Sequence, residues 1–223
     1  LLVRNAVFAQ AGLTFKKAVS DFPTKPFKDL GLIPDYDEGR FRDQVTGEFV
    51  GLPIQMCHAE LVKRISKRSS KTPFKGVLLT TSFPKAIAGR TTVFPDPTNT
   101  GYAPPWNATQ GERVRLESSG FEDVYEVYSS DQVEARHVLT PSFMERLLAI
   151  QKQLQARDPG AILCLGLADG QLMLAIFGDM PWFESPKGRP RLDDPSIVDG
   201  YLSDLARLRE VLETLGLNKR IER

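Results

Sequence analysis

Histidine and cysteine are scarce in this sequence, and a long apolar run is absent. The 223 residues include two histidines and two cysteines, so a zinc site made from these residue types would use nearly all of them. The longest apolar candidate, residues 161–177, is interrupted by Gly166, Asp169 and Gly170, whereas a membrane-spanning helix needs about 18 apolar residues in succession. The sequence therefore predicts neither a metal site nor a transmembrane helix.

An excess of charge of one sign is lacking as well. The chain has 29 Lys and Arg against 28 Asp and Glu, a formal net charge of +1, so any attraction to nucleic acid or to an anionic membrane has to be local. The glycine-rich phosphate loop, the dinucleotide fingerprint, the serine nucleophile elbow and the zinc-protease helix are all missing. We expect no cofactor, although dispersed carboxylates of the glycosidase type leave no such signature.

Capping residues and apolar periodicity predict three helices. Apolar positions at mixed spacings favour an N-terminal helix over most of residues 2–22. Thr140-Pro141 joins a capping hydroxyl to a proline at the first helical position, and the apolar stripe after it predicts a central helix over about residues 141–156. A similar start precedes a long amphipathic C-terminal helix over about residues 195–215, which Gly216 would end.

Alternating and β-branched segments predict a sheet built from hairpins. Residues 44–50 and 54–65 flank a glycine–proline turn, and residues 161–167 and 171–177 flank Asp169-Gly170, a dipeptide suited to a two-residue hairpin turn. Strands with such short connections pair antiparallel, because parallel strands need a crossover. We therefore predict a single α+β domain with a mainly antiparallel sheet and the three helices packed against one face or end of it.

Two stretches are less regular. Residues 95–112 contain four prolines and two glycines, a composition typical of an exposed loop. Residues 122–128 fit a short strand, yet their aromatic and apolar positions also fit helical spacing. Both interpretations of this second stretch stay open.

Both cysteines lie in apolar stretches with strand character. We expect Cys57 and Cys164 to be buried, reduced thiols. In Cys57-His58-Ala59-Glu60, strand geometry places His58 and Glu60 on one face and Cys57 on the other. This spacing favours an ordinary strand over a metal or catalytic site.

A polar cluster precedes the predicted central helix. Asp131, Glu134, Arg136 and His137 put four ionisable groups into seven residues. A carboxylate–histidine pair among them could perform acid–base chemistry in an uncharacterised hydrolase. Charges in such a position more often cap a turn and pair with neighbours, and no nearby serine or cysteine has an obvious base.

One segment is strongly cationic. Residues 61–95 carry eight basic residues and no acidic one, and five of the eight occupy nine positions: Lys63, Arg64, Lys67, Arg68 and Lys71. A mobile basic loop of this kind would attract anionic lipid headgroups, each cation adding about 1 kcal/mol, or the phosphates of a nucleic acid in a salt-dependent way. The plainest interpretation is a solvated hairpin tip.

Several stretches resemble a known bacterial family. They are Asp43-Gln44-Val45-Thr46-Gly47-Glu48-Phe49-Val50-Gly51, Phe74-Lys75-Gly76 and above all residues 121–148, with the block from Asp131 to Pro141 at their centre. Together they resemble the domain-of-unknown-function family 3137, over roughly residues 27–177. Members of that family often carry hydrophobic segments ahead of this domain, so the resemblance implies that the chain is the soluble part of a membrane-attached protein. It implies no activity and no catalytic residues.

Three functions of different classes follow from these features. The favoured one is a non-enzymatic binding or scaffolding domain at the cytoplasmic membrane face, with an anionic membrane surface or a membrane protein as its partner. The second is a hydrolase that uses Asp131, Glu134 and His137, and the third is a weak nucleic-acid binder through residues 63–71. Since residues 1–223 begin at Leu1 without a methionine, we expect a cytoplasmic domain whose membrane tether lies in a segment absent from this sequence.

Overall fold

The computed structural model describes residues 2–85, 87–100, 111–179, 182–183 and 195–217. The strands are Leu13–Val19 (β1), Glu38–Phe49 (β2), Leu52–Ser66 (β3), Ser69–Ser82 (β4), Thr91–Pro95 (β5), Glu112–Val114 (β6), Tyr125–Ser129 (β7), Ile162–Ala168 (β8) and Gln171–Phe177 (β9). The helices are Leu2–Gln10 (α1), Lys25–Asp29 (α2), Pro97–Thr100 (α3), Ser119–Glu122 (α4), Gln132–Val138 (α5), Pro141–Arg157 (α6) and Pro195–Thr214 (α7). The strands form one nine-stranded sheet, and every pairing in it is antiparallel.

Hairpins build the centre of this sheet, in the order β1-β2-β3-β4-β9-β8-β5-β7-β6. The β8–β9 hairpin turns at Asp169 and Gly170, which have φ of 51° and 69°. Positive φ at both residues identifies the turn as the type whose twist matches its strands. β8 and β9 are buried almost throughout because they lie in mid-sheet with both faces covered.

Helices cover one face of the sheet and an irregular segment covers the other. The helical face joins α1, α4, α5, α6 and α7 to one set of strand side chains in a continuous apolar core. The opposite face is covered by residues 22–36 with the short helix α2, which pack over Cys57, Leu78 and Cys164. The α+β class, the antiparallel sheet and its three predicted helices are thus confirmed.

The N-terminal helix ends earlier than its apolar positions predict. α1 stops at Gln10, and Leu13–Val19 is strand β1, in which the buried Leu13 and Phe15 alternate with exposed residues. Gly12, at φ 76°, lies between the two elements because only glycine adopts that conformation at little cost. The predicted extension of the helix to residue 22 is therefore wrong.

Residues 125–128 form a strand, so the strand interpretation of residues 122–128 is the one that the structure supports. α4 ends at Glu122, and β7 begins three residues later at Tyr125. The predicted loop over residues 95–112 contains α3 and the start of β6, and its residues 101–110 lie outside the described part of the chain. Of residues 181–190, Trp182 and Phe183 are described, and both are buried.

Candidate functional site

The cationic residues lie on a hairpin that extends beyond its neighbouring strands. The pairing of β2 with β3 begins at Glu38 and Val62, and that of β9 with β4 at Gly76. Beyond those rows β3 and β4 pair only with each other, through Lys63 with Lys71, Arg64 with Ser70 and Ser66 with Ser69. Residues 63–72, called the cationic arm below, are therefore the tip of a two-stranded hairpin that projects beyond the neighbouring strands.

Asp37 holds the base of the cationic arm. Its carboxylate accepts a hydrogen bond from the Arg64 backbone N–H at 2.8 Å and forms an ion pair with Lys63 Nζ at 3.2 Å. The Arg64 amide bond, together with the Lys63 hydrogen bond and charge, lowers the pKa of Asp37 below its usual value. These contacts of Asp37 fix the base of the cationic arm relative to the sheet.

The other cations of the cationic arm form no salt bridge among the described residues. Within the described residues, no carboxylate lies within ion-pair distance of the side chains of Arg64, Lys67, Arg68 or Lys71. Lys63 stands directly opposite Lys71, and like charges in that relation are unfavourable. Ile65 is 63% exposed beside them. An apolar side chain thus lies exposed beside cations that form no salt bridge among the described residues.

In the polar cluster at residues 131–137, one carboxylate caps a helix and another holds the loop at residues 88–89. The Asp131 carboxylate accepts hydrogen bonds from the amides of Val133 and Glu134, both at 2.9 Å, and so caps α5. The Glu134 carboxylate accepts hydrogen bonds from the amides of Ala88 and Gly89, both at 2.7 Å. Both carboxylates are thereby engaged by backbone groups.

The other two members of this cluster lie on the surface. Arg136 donates to the Gln132 side chain at 3.1 Å, one turn away on the same helix. His137 is exposed, and its carbonyl accepts a hydrogen bond from Lys85 Nζ at 3.2 Å. None of the four predicted residues lines the cleft described next, so the geometry lends no support to an acid–base pair here.

A cleft of about 80 Å³ opens where β2, β3 and β4 run side by side, next to the base of the cationic arm. Its charged lining consists of Arg40, Arg42, His58, Glu60, Lys75 and Asp179. Cross-strand register explains the grouping: Arg40, Glu60 and Lys75 form one row, and Arg42 and His58 lie in another row two residues along. Side chains two residues apart share a face of the sheet, which here is the helix-covered face.

A β-bulge brings a carboxylate beneath this cleft. The β2–β3 register shifts between Arg42 and Val45, and Asp43 has a φ of 53°. Such a bulge lets successive side chains point to the same side, so Asp43 accepts a hydrogen bond from Arg42 at 2.7 Å and lies 3.9 Å from His58 Nδ1. Asp43 is 4% exposed.

A second arginine reaches Asp43 from the N-terminal helix. Arg4 of α1 is 4% exposed and lies 3.9 Å from the Asp43 carboxylate. Its guanidinium lies 3.8 Å from the centre of the Phe15 ring and 5.8 Å from that of Tyr201, an arrangement that compensates partly for burial of the charge. This ion pair ties α1 and α7 to the bulge below the cleft.

His58 forms the floor of the cleft and is 5% exposed. Its Nε2 accepts a hydrogen bond from the Trp182 backbone N–H at 3.4 Å, a role that requires this nitrogen to be unprotonated. The neighbouring Phe183 amide donates to Asp204 at 2.7 Å. His58 and Asp204 thus hold the buried pair Trp182-Phe183 against the core.

The remaining sequence-derived candidates are structural. Cys57 and Cys164, both among the described residues, are fully buried and form no disulfide, and burial raises the pKa of the Cys57 thiol. In the described ranges, no group of three or more His, Cys, Asp or Glu is placed to hold a metal ion. None of the described helices combines the length and apolar character needed to cross a bilayer.

Comparison with known proteins gives a family match and a match to a solved structure. The model of a family described as "Protein of unknown function (DUF3137)" matches residues 72–217, which confirms the resemblance and moves its bounds toward the C-terminus. The cationic arm lies almost wholly before this match. The crystal structure of the mycobacterial trehalose monomycolate transport factor A, TtfA, is 11% identical, covers 96% of this chain and 94% of its own, and has a TM-score of 0.46. No curated protein matches the sequence.

Proposed function

Because this chain belongs to DUF3137, a family of proteins of unknown function, we propose a function from its geometry: it is a non-enzymatic binding domain that holds the anionic cytoplasmic face of a membrane through the cationic arm. The observation that carries the proposal is the projecting hairpin of residues 63–72, where four cations without a salt bridge among the described residues lie beside an exposed isoleucine. The resemblance to a family whose members often carry hydrophobic segments supports a membrane as the partner.

The charge on the cationic arm suffices for reversible attachment. Each Lys or Arg near an anionic leaflet contributes about 1 kcal/mol, so Arg64, Lys67, Arg68 and Lys71 together contribute roughly 4 kcal/mol, about a thousandfold in occupancy. Screening weakens such contacts beyond a Debye length of roughly 8 Å at physiological ionic strength. Binding by the arm is therefore shallow, salt-sensitive and dependent on several cations at once.

Ile65 favours a membrane over a nucleic acid as the partner. Its side chain is exposed among the cations, where a bilayer offers apolar chains just below the phosphates. Single-stranded nucleic acid is bound through aromatic stacking platforms as well as cations, and residues 63–72 contain no aromatic side chain. The chain's net charge of +1 also produces no wider positive potential that would attract a polynucleotide.

Vesicle co-sedimentation tests this proposal. We expect the wild-type chain to bind vesicles containing phosphatidylglycerol and not neutral phosphatidylcholine vesicles, with binding that falls as salt rises. The variant Lys67→Gln/Arg68→Gln/Lys71→Gln should lose at least tenfold in affinity. Its matched control, Lys17→Gln/Arg115→Gln/Lys152→Gln, removes three exposed cations away from the arm and should bind as the wild type does.

Two results would contradict the proposal. One is equal binding to neutral and anionic vesicles, or binding that the arm variant leaves unchanged. The other is tighter binding to single-stranded DNA or RNA than to anionic vesicles at the same salt concentration, with loss in the arm variant alone. That second result would assign the cationic arm to nucleic acid.

A further inference from the structure

The cleft at the base of the cationic arm has positive side chains on both walls. Across the sheet, Arg40 and Lys75 occupy one row with Glu60 between them, and adjacent strands lie about 4.8 Å apart. The two cations therefore flank a gap of about 10 Å at the backbone. Arg42, two residues from Arg40 on the same strand, adds a third cation to the β2 wall.

The carboxylates in the cleft hold these cations only weakly. Arg40 lies 3.3 Å from Glu60 and 3.0 Å from Glu38, and these three side chains are 60%, 39% and 46% exposed. Lys75 lies 2.8 Å from Asp179, with side chains 49% and 78% exposed. Exposed pairs of this kind contribute little to stability, so an incoming anion can displace either carboxylate at small cost. Arg42 forms its ion pair with Asp43, a buried carboxylate below the floor of the cleft.

Fixed backbone shapes one wall of the cleft. Gly178 has a φ of 142°, and a Cβ there would lie 2.6 Å from the Asp158 carboxylate. That same carboxylate accepts a hydrogen bond from the Asp179 amide at 2.9 Å. The segment that presents Asp179 to Lys75 is thereby held in place. A volume of about 80 Å³ exceeds the roughly 10–15 Å³ that one water needs on the same measure, which leaves room for a tetrahedral oxyanion.

From this geometry we propose that the cleft is a phosphate-binding site, in which Arg40, Arg42 and Lys75 coordinate one phosphate group. Arginine and lysine are the side chains that bind phosphate in proteins, arginine through a planar pair of donors. The phosphate belongs either to a lipid headgroup, since the cleft lies next to the base of the cationic arm, or to a soluble phosphate compound. The site does not require that the arm itself bind a membrane.

Titration calorimetry with inorganic phosphate tests the site. The variant Arg40→Gln/Lys75→Gln should weaken binding at least tenfold, whereas Arg115→Gln/Lys152→Gln, which removes the same charge elsewhere, should leave it unchanged. Asp179→Asn should act in the opposite direction and tighten binding by about threefold, because it removes the carboxylate that competes for Lys75. A general effect on folding would not produce opposite signs in these two variants.

Vesicles identify the source of the phosphate. Phosphatidic acid exposes a phosphomonoester, and phosphatidylglycerol at matched surface charge does not. Preference of the wild type for phosphatidic acid, lost in Arg40→Gln/Lys75→Gln, assigns the site to a headgroup; calorimetric binding without this preference assigns it to a soluble phosphate. No calorimetric binding, or equal binding by the wild type and Arg40→Gln/Lys75→Gln, would overturn the site. Lys67→Gln/Arg68→Gln/Lys71→Gln should retain phosphate binding, so failure of the cleft and of the cationic arm are separable.

Discussion

Val50 occupies a conformation that β-branched residues rarely adopt. It has a φ of 49° and precedes Gly51 at 77° in the two-residue turn between β2 and β3. Both values belong to a hairpin turn that prefers Asn-Gly, and a β-branched residue there is strained. Val50 also packs against the core as a partly buried side chain, so the strain is balanced in part by contact.

Replacing this valine should stabilise the chain. We expect Val50→Asn to raise the free energy of unfolding by about 1 kcal/mol, since relief of strain outweighs the lost contact. Urea denaturation measures the difference. Asp169→Asn, at the corresponding position of the β8–β9 turn with a φ of 51°, is the matched control and should change little. Equal or lower stability of Val50→Asn would show that the packing of Val50 dominates.

Asp179 reports directly on the Lys75 contact. The hydrogen bond and charge of Lys75 hold the pKa of the Asp179 carboxyl below its usual value. A lowered pKa in the folded state favours folding above the unfolded pKa, and this contribution is lost as pH falls through the folded value. In Lys75→Gln, NMR titration of Asp179 should show a midpoint raised toward that of an ordinary aspartate. An unchanged midpoint would mean that the ion pair is not populated in solution.

Single-residue chemistry was partly readable from the sequence. The dipeptide Asp169-Gly170 correctly predicts a tight hairpin turn. Strand alternation correctly places His58 and Glu60 on the same face of β3, and both line the cleft. The contact of Arg4 with Asp43 could not be predicted, because it depends on a bulge that shifts the β2–β3 register. Without that shift, alternation puts Asp43 on the face opposite to Arg42.

Elements were predicted best where capping and periodicity agreed. The central and C-terminal helices begin at Pro141 and Pro195 as expected, and Thr140 caps the central helix. Apolar spacing alone predicts an N-terminal helix that is too long, because it takes no account of Gly12, whose positive φ separates α1 from β1. Strand β1 then takes its partner from β2, a long-range pairing that local spacing does not reveal.

Gln151 links the central helix to the sheet. Buried at 6% exposure, its side chain donates to the Ala161 carbonyl at 2.8 Å and accepts from the Leu163 amide at 3.0 Å and the Tyr125 hydroxyl at 3.2 Å. We expect Gln151→Leu to cost about 3 kcal/mol, because three buried polar groups lose their partner. Chemical denaturation measures this cost.

A surface variant of the same helix supplies the comparison for Gln151. Gln155→Leu changes the same residue type at an exposed position of α6 and should alter stability by less than about 0.5 kcal/mol. A similar small change in Gln151→Leu would show that the hydrogen bonds of Gln151 contribute nothing net.

At the scale of the whole molecule, charge is distributed unevenly over a nearly neutral chain. The cationic arm and the cleft lie at one region of the β2–β3–β4 sheet, while the polar cluster at residues 131–137 is used to cap α5 and tether a loop. Composition located the cationic segment but not its ordered, projecting shape, because that shape depends on where β2 and β9 cease to pair. The cleft could not be predicted from the sequence, because its lining residues lie on separate strands that only the fold brings together.

The central claim is that the cationic arm meets a membrane with Ile65 at the contact. Ile65→Cys carrying an environment-sensitive fluorophore measures this directly, since Cys57 and Cys164 are fully buried and do not compete for the label. We expect its emission to shift to the blue on phosphatidylglycerol vesicles and not on phosphatidylcholine vesicles. A label at Val133→Cys, 78% exposed on α5, should not respond. A label at position 65 that remains in water on anionic vesicles, or an equal shift at position 133, would contradict the claim.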